Sequence, residues 1–429
     1  MQRFLYSLTF YLLIPFVLLR LVYRSIRAPA YRYRWKERFG FCQLPESWRG
    51  GEKSIWIHAV SVGETLAAVP LIKALQQRYP DVQLVVSTMT PTGSERVTTT
   101  FGDSVFHVYL PYDLPGAMQR FIAKVDPALL VVMETELWPN LLHVCKSAGC
   151  RTMLVNARLS EKSARGYRRL SSLTQGMLGH LDVIAAQAQA DADRFIELGA
   201  PADKVQVTGN LKFDISPPDD LQKVPGIFQQ LGDLQRPVLI AASTREGEDE
   251  KVLEAFQQCL IEEPSLLLIL VPRHPERFDS VARLCEQQGL SVERRSSDQL
   301  SDDTVQVWLG DSMGEMWSYY RLADLAFVGG SLVDTGCHNV LEPAALGIPV
   351  LVGPSQFNFA AICNQLQRAG ALITVADQQD LAQQLLQLLG NPQWRQSMGQ
   401  AGRHIVESNR GCLQRLETLV DQQIEQAGR

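Results

Sequence analysis

The sequence predicts an α/β protein with two doubly wound, Rossmann-like domains behind an apolar N-terminal helix. Three observations predict it. From residue 54 onward, short apolar β-type runs alternate with longer amphipathic runs, the pattern of a parallel sheet with crossover helices. The series runs twice, interrupted at Ile215-Ser216-Pro217-Pro218. A chain of 429 residues also exceeds one ordinary core, so two domains of roughly 200 residues each are expected.

The first element is Phe4 to Leu19, sixteen residues with only Ser7 and Thr9 polar and Pro15 as an interruption. With Arg20 snorkelling the run extends to Tyr23, close to the ~20 residues a spanning helix needs. A cleaved signal peptide would carry its positive charge before the apolar run, whereas here all the arginines of the segment but Arg3 follow it. A buried core helix would have to bury the string from Arg20 to Arg38. An uncleaved anchor, spanning or interfacial, is the favoured reading, with the body of the protein on the cytoplasmic face of the inner membrane. Residues 1–50 hold nine Lys/Arg against Glu37 and Glu46, a charge of +7, so the remainder carries −12 of the net −5. Each basic residue near anionic headgroups would contribute about 1 kcal/mol. The acidic body argues against a nucleic-acid partner.

The first series places strands at 54–60, 83–88, 105–109, 128–133, 152–155, 182–186 and 205–208. The second places them at 237–242, 266–271, 305–309, 324–328, 348–352 and 371–374. The expected boundaries are an anchor and basic stretch at 1–30, a first domain at 31–214, a linker at 215–236 and a second domain at 237–429. The last helix could pack back on the first domain. Ligands of such sheets bind beyond the carboxyl ends of the strands, so a cleft faced by both domains is expected. The eight cysteines form no C-x-x-C pair and the seven histidines no metal-binding spacing, so no metal is expected.

Ser61-Val62-Gly63-Glu64 closes the first strand and opens a helix. Ser-x-x-Glu is the capping box of a helix N-terminus, and a carboxylate there could equally take a proton from a substrate hydroxyl. The second half echoes it, with Ile240 to Glu248 running through Ser243 and Gly247-Glu248 into a helix. Glu134 and Glu136 end another strand, where they compensate a helix dipole or stabilise charge. Arg158, Lys162, Arg165, Arg168 and Arg169 form a basic stretch, either a solvated face or a cradle for an anionic acceptor. Lys212 lies at the domain junction.

In the second half, Gly329-Gly330-Ser331 lets backbone approach a ligand, and a helix starting near Asn339 directs N–H groups at a phosphate. Glu342 is placed to accept from ribose hydroxyls. Pro272-Arg273 and Met313-Gly314-Glu315 follow two further strands. These residues do not separate CMP from UDP, and three readings stay open: a CMP-sugar transferase, a UDP-sugar transferase or epimerase, and a non-catalytic nucleotide-sugar-binding membrane protein.

The segments His58–Glu64, Met133–Asn140, Gly209–Asp214, Val271–Pro275, Met313–Glu315 and His338–Pro343 together resemble the 3-deoxy-D-manno-octulosonic acid (Kdo) transferases of lipid A and lipopolysaccharide biosynthesis, end to end. The resemblance implies a GT-B glycosyltransferase fold. It implies inverting, metal-independent transfer of Kdo from CMP-Kdo to the lipid A precursor, a tetraacyldisaccharide 1,4'-bisphosphate, often followed by a second Kdo. It makes Glu64 the general base, with Glu134 and Lys212 stabilising the transition state. Pro272, Arg273, Met313, Gly314, Glu315, Asn339, Val340, Leu341 and Glu342 become the CMP contacts. Cys337 and Val340 stand where the family leads one to expect Gly and Pro, and a positive φ at Cys337 would cost energy.

Overall fold

The computed structural model describes residues 2–48, 51, 53–218, 226, 228, 230, 236–297 and 304–428. Its contacts divide into two units, Met1–Asp214 with Arg410–Arg429, and Ile215–Asn409. The second domain was expected to run to 429; instead its unit ends at Asn409, because the last helix buries its apolar side in the first. The linker expected at 215–236 falls mostly outside the described residues.

In the first unit the strands are β1 (Ser54–His58), β2 (Leu84–Thr88), β3 (Phe106–Tyr109), β4 (Pro127–Met133), β5 (Arg151–Ala157), β6 (Val183–Ala186) and β7 (Val205–Val207). They form one parallel sheet in the order β3-β2-β1-β4-β5-β6-β7. Its helices are α1 (Gln2–Arg27), α2 (Val62–Arg78), α3 (Pro91–Phe101), α4 (Pro115–Val125), α5 (Pro139–Ser147), α6 (Glu161–Arg168), α7 (Ser171–Gly179) and α8 (Gln189–Glu197). Alternate strand residues serve opposite layers: Trp56, Val85 and Leu130 pack in one core, Ile55, Ile57, Val86 and Val131 in the other. Both faces being covered is why these strands read as continuous apolar runs.

The second unit holds β8 (Val238–Thr244), β9 (Leu267–Pro272), β10 (Val292–Arg294), β11 (Val307–Leu309), β12 (Leu325–Val328), β13 (Val350–Val352) and β14 (Leu372–Thr374). They too are all parallel, in the order β10-β11-β9-β8-β12-β13-β14. Its described helices are α9 (Asp249–Glu262), α10 (Phe278–Gln287), α11 (Met316–Leu322), α12 (Leu341–Leu346), α13 (Ala360–Arg368), α14 (Gln378–Leu389) and α15 (Pro392–Asn409). The final helix, α16 (Cys412–Ala427), belongs to the first unit. β10 was not anticipated: three residues, two of them charged and all half-buried, give no apolar run to read.

Helix α1 is long and apolar enough to cross a membrane. A narrow stripe of it packs on its own domain. Phe10, Ile14 and Val17 meet Tyr112, Leu114 and Ala117, and the Ser7 hydroxyl donates to Asn140 Oδ1 at 3.1 Å. Leu21 and Ser25, further along, are also buried. The outward face keeps Phe4, Leu12, Phe16, Leu19 and Ile26 at least 65% exposed.

The arginines that follow are not all at the surface. Arg38 is buried, donates to the Met89 carbonyl at 3.2 Å and stacks over the Tyr109 ring at 4.4 Å. Arg34 pairs with Glu37 at 2.7 Å and donates to the His107 carbonyl at 2.8 Å. These two fasten the 34–39 segment to the ends of β2 and β3, so the basic stretch is partly structural. A guanidinium can be buried when carbonyls and an aromatic face replace its water.

Candidate active site

The first unit gathers acidic and polar groups where its strand order reverses, between β1 and β4. Ser61 caps α2, and Glu64 reaches back as in a capping box, but to the Ser61 hydroxyl and the N–H of Val60 rather than to that of Ser61. The Glu64 N–H donates to Ser61 Oγ at 3.3 Å, while Ser61 Oγ donates to Glu64 Oε1 at 2.8 Å. The Val60 N–H donates to Glu64 Oε2 at 2.8 Å. Glu64 as a whole is 8% exposed. Burial pushes its pKa up to about 7, against the pull of the Val60 and Ser61 bonds and with help from the charges of Glu134 and Glu136. The same side chain is thus held by hydrogen bonds at the helix start and poised near neutrality by its surroundings.

Glu134 follows β4 with φ 56, the left-handed region, and its N–H donates to the Val155 carbonyl at 2.9 Å. A non-glycine residue there is held against its preference, which turns the chain sharply after the strand. Burial raises the pKa of neighbouring Glu136. Near the end of β5, Asn156 also has positive φ, at 51, and its Oδ1 accepts from the Leu211 N–H at 3.1 Å. The turn Leu211–Phe213 that carries Lys212 is thus tied to the end of β5. Asn210 caps it, accepting from the Lys212 N–H at 3.0 Å, and the turn touches α2. Lys212 is half-buried.

Two residues of the basic stretch, Arg165 and Arg168, are paired within their own surface. Arg168 reaches Glu197 at 2.8 Å and Glu161 at 3.4 Å, and Arg165 reaches Glu161 at 3.9 Å. Exposed pairs of this kind contribute little, and they favour the solvated face.

In the second unit Pro272, Arg273, Met313 and Gly314 line a cavity of about 160 Å³ together with Ser243, Ser312 and Tyr319. Ser243 has φ 59 and Gly314 φ 86, so two turns bring backbone to this cavity. Glu315 is engaged by its own unit, accepting from Arg295 at 3.0 Å and from the Ser312 hydroxyl. Asn339 Oδ1 accepts from the Leu341 N–H at 3.0 Å, and its amide donates to Glu342 Oε1 at 3.0 Å. Burial raises the Glu342 pKa, opposed by that amide. Val340 and Leu341 are fully buried, so neither presents a side chain to a ligand.

Two expectations need correction. The Gly329-Gly330-Ser331 backbone does not wait for a ligand: Glu248 fills it, accepting from Gly330 N at 2.6 Å, Ser331 N at 3.0 Å, Leu332 N at 2.8 Å and Arg245 N at 3.1 Å. The glycines serve backbone packing, since a Cβ on Gly329 would lie 2.6 Å from the Ser243 carbonyl oxygen. Helix α12 is only six residues long, and Asn339 already satisfies one of its first N–H groups. Cys337 carries no strain of the kind weighed for it, because Gly336 takes the positive φ of 81.

A profile described as 3-deoxy-D-manno-octulosonic-acid transferase (kdotransferase) matches residues 33–215, and one for group 1 glycosyl transferases matches residues 243–405. The chain is 43% identical to the 3-deoxy-D-manno-octulosonic acid transferase of Haemophilus influenzae, covering 99% of each. The chain belongs to the Kdo transferase family. A Bordetella pertussis Kdo transferase is 39% identical over 86% of this chain and 87% of the relative. A putative UDP-N-acetylglucosamine 2-epimerase from Listeria monocytogenes shares the fold with a TM-score of 0.54 at 16% identity, covering 88% of this chain and 98% of that one. Fold and reaction follow: this Kdo transferase is a GT-B glycosyltransferase that transfers Kdo.

The structure brings Glu64 together with Glu134 and Glu136, and Pro272 and Arg273 with Met313 and Gly314. Three features of this Kdo transferase escaped sequence reasoning: the tie from Asn156 to the Lys212 turn, the left-handed Ser243, and Arg245. The echo between the halves ran straight through Arg245 without giving it a role. Glu248, the counterpart of Glu64 in that echo, has four backbone donors and no catalytic freedom.

Proposed function

We propose that this Kdo transferase moves Kdo from CMP-Kdo to the bisphosphorylated tetraacyl disaccharide precursor of lipid A, and then adds a second Kdo to the first. The observation that carries the mechanism is the Glu64 carboxyl, buried at the β1–β4 switch with its pKa near 7. Glu64 takes the proton of the acceptor hydroxyl as that oxygen attacks C2 of Kdo, and CMP leaves from the opposite face, so the configuration inverts. Arg273 and Lys212 offset the negative charge that grows on the departing phosphate, a task that needs no metal ion. Glu134 orders charge around the base. Asn339 and Glu342, with the backbone of Val340, Leu341 and Met313 to Glu315, hold the nucleotide.

The stripe along α1 that touches the domain argues for attachment in the plane of the membrane. A helix packed on its domain over most of its length leaves its apolar outer face to enter the lipid. The inner membrane's cytoplasmic leaflet, where CMP-sugars are made available, is the proposed location.

Purified protein incubated with freshly made CMP-Kdo and the lipid A precursor should yield mono- and then di-Kdo lipid by mass spectrometry. Absence of Kdo-bearing lipid, or product formed only from UDP-sugars, would refute this reading. Arrest at one Kdo would refute the second transfer alone.

A further inference from the structure

The second unit holds a cation that the nucleotide contacts do not account for. Arg245 follows β8, which lies between β9 and β12 at the switch point of the sheet. Its Nε donates to His338 Nε2 at 3.1 Å, and its Nη1 meets Nε2 of His274. Both imidazoles act as acceptors and so stay neutral; burial beside Arg245 pushes the His338 pKa down to about 4. Two neutral rings, His274 just past β9 and His338, whose N–H bonds the Gly329 carbonyl past β12, therefore fix the guanidinium without offsetting its charge. Glu246, next in sequence, is exposed and forms no ion pair with it, and Glu248 is fully buried and turned to four backbone N–H groups. Arg273, one strand away, has its N–H on the Thr244 carbonyl at 3.0 Å, and the two guanidinium charges act on each other.

Two cations at adjacent strand ends match a ligand with two adjacent anions. Neighbouring strands lie ~4.8 Å apart. In CMP-Kdo one carbon, C2, carries both the sugar acid's carboxylate and the oxygen bonded to phosphorus. Arg273 lines the cavity with Pro272, Met313 and Gly314, on the side assigned to CMP. We propose that Arg245 recognises the carboxylate of the donor sugar acid, and so determines that the donor is an acidic keto sugar. A planar guanidinium held by its edge offers the fork that a carboxylate accepts. This assignment rests on the Kdo-donor reading above.

The test compares CMP affinity by calorimetry with KM for CMP-Kdo in full-length wild type, Arg245→Gln, Arg245→Lys and Arg273→Gln. Arg245→Gln should raise KM for CMP-Kdo about ten- to a hundredfold, the loss of a charge-assisted pair, and leave CMP affinity within about twofold. Arg245→Lys should recover part of the loss, since it keeps the charge without the fork. Arg273→Gln should weaken both ligands. Retained CMP binding also shows that a variant is folded. Equal loss of CMP and CMP-Kdo in Arg245→Gln would overturn the proposal by moving Arg245 to the phosphate. An unchanged KM would overturn it by leaving Arg245 a partner of the two histidines. Wild type that transfers no Kdo refutes the donor reading itself, a different result from either.

Discussion

At the scale of single residues the decisive quantity is the protonation of Glu64. Its pKa near 7 lies above the ordinary carboxylate value because burial outweighs its hydrogen bonds. In the base role proposed for it Glu64 must be ionised, so kcat/KM should climb with pH through about 7 and level off above it. Removing the neighbouring charge in Glu134→Gln should move that limb to lower pH, because Glu134 helps raise the Glu64 pKa; an unmoved limb would assign it to another group. The same shift has a stability side of opposite sense. The folded form holds the proton up to about pH 7 while the unfolded chain releases it from about 4.5, so stability falls across that window. Glu64→Gln should abolish turnover and flatten that fall in a Tm-against-pH series. The four-residue motif could not reveal this, since Glu248 follows the same kind of strand and is wholly satisfied by backbone.

Elements were far more legible than sites. Thirteen strands stand out in the sequence because both faces of each sheet are covered, whereas β10, at an edge, has no apolar run. Helix starts are less legible where the cap comes from elsewhere. Helix α5 has no capping side chain of its own. Asp113, 27 residues earlier, supplies it, accepting from Asn140 N at 3.0 Å and Leu141 N at 2.8 Å. Burial pushes the Asp113 pKa up to about 6, against these bonds and the charge of Arg3. Asn140 Nδ2 donates to the Asp113 carbonyl at 2.7 Å and its Oδ1 accepts from Ser7 of α1. One buried pair thus starts α5 and seats the apolar helix. Asp113→Ala should cost about 1–2 kcal/mol as a lost cap. Chemical denaturation would measure it, and amides of Asn140 and Leu141 should exchange faster. An unchanged midpoint would mean that solvent replaces the carboxylate without loss.

Across the whole molecule, the chain leaves the first unit at Asp214 and returns to it at Arg410. The returning helix α16 completes a core that strands of the first unit began: Cys412, Leu416, Leu419 and Val420 are buried with Ile55, Leu71, Leu129 and Met153. Polar bonds fix its register. Asp214 accepts from the Leu413 N–H at 2.6 Å, Arg151 donates to Gln423 at 2.7 Å and to Gln426 at 2.7 Å, and Arg415 donates to the Thr208 carbonyl at 2.8 Å. Such a return cannot be read from periodicity, because an amphipathic helix records that it buries one face and not which core receives it. Leu416→Ala should therefore lower the stability of the first unit by about 2–4 kcal/mol, the cost of a large-to-small change in a packed core. Hydrogen exchange localises the effect. Strand amides of Ile55 to His58 and Leu129 to Val132 should lose protection, while those of Leu239 to Ala242 keep theirs. Loss of protection in the second set instead would assign α16 to the other core and restore the simpler division at residue 237.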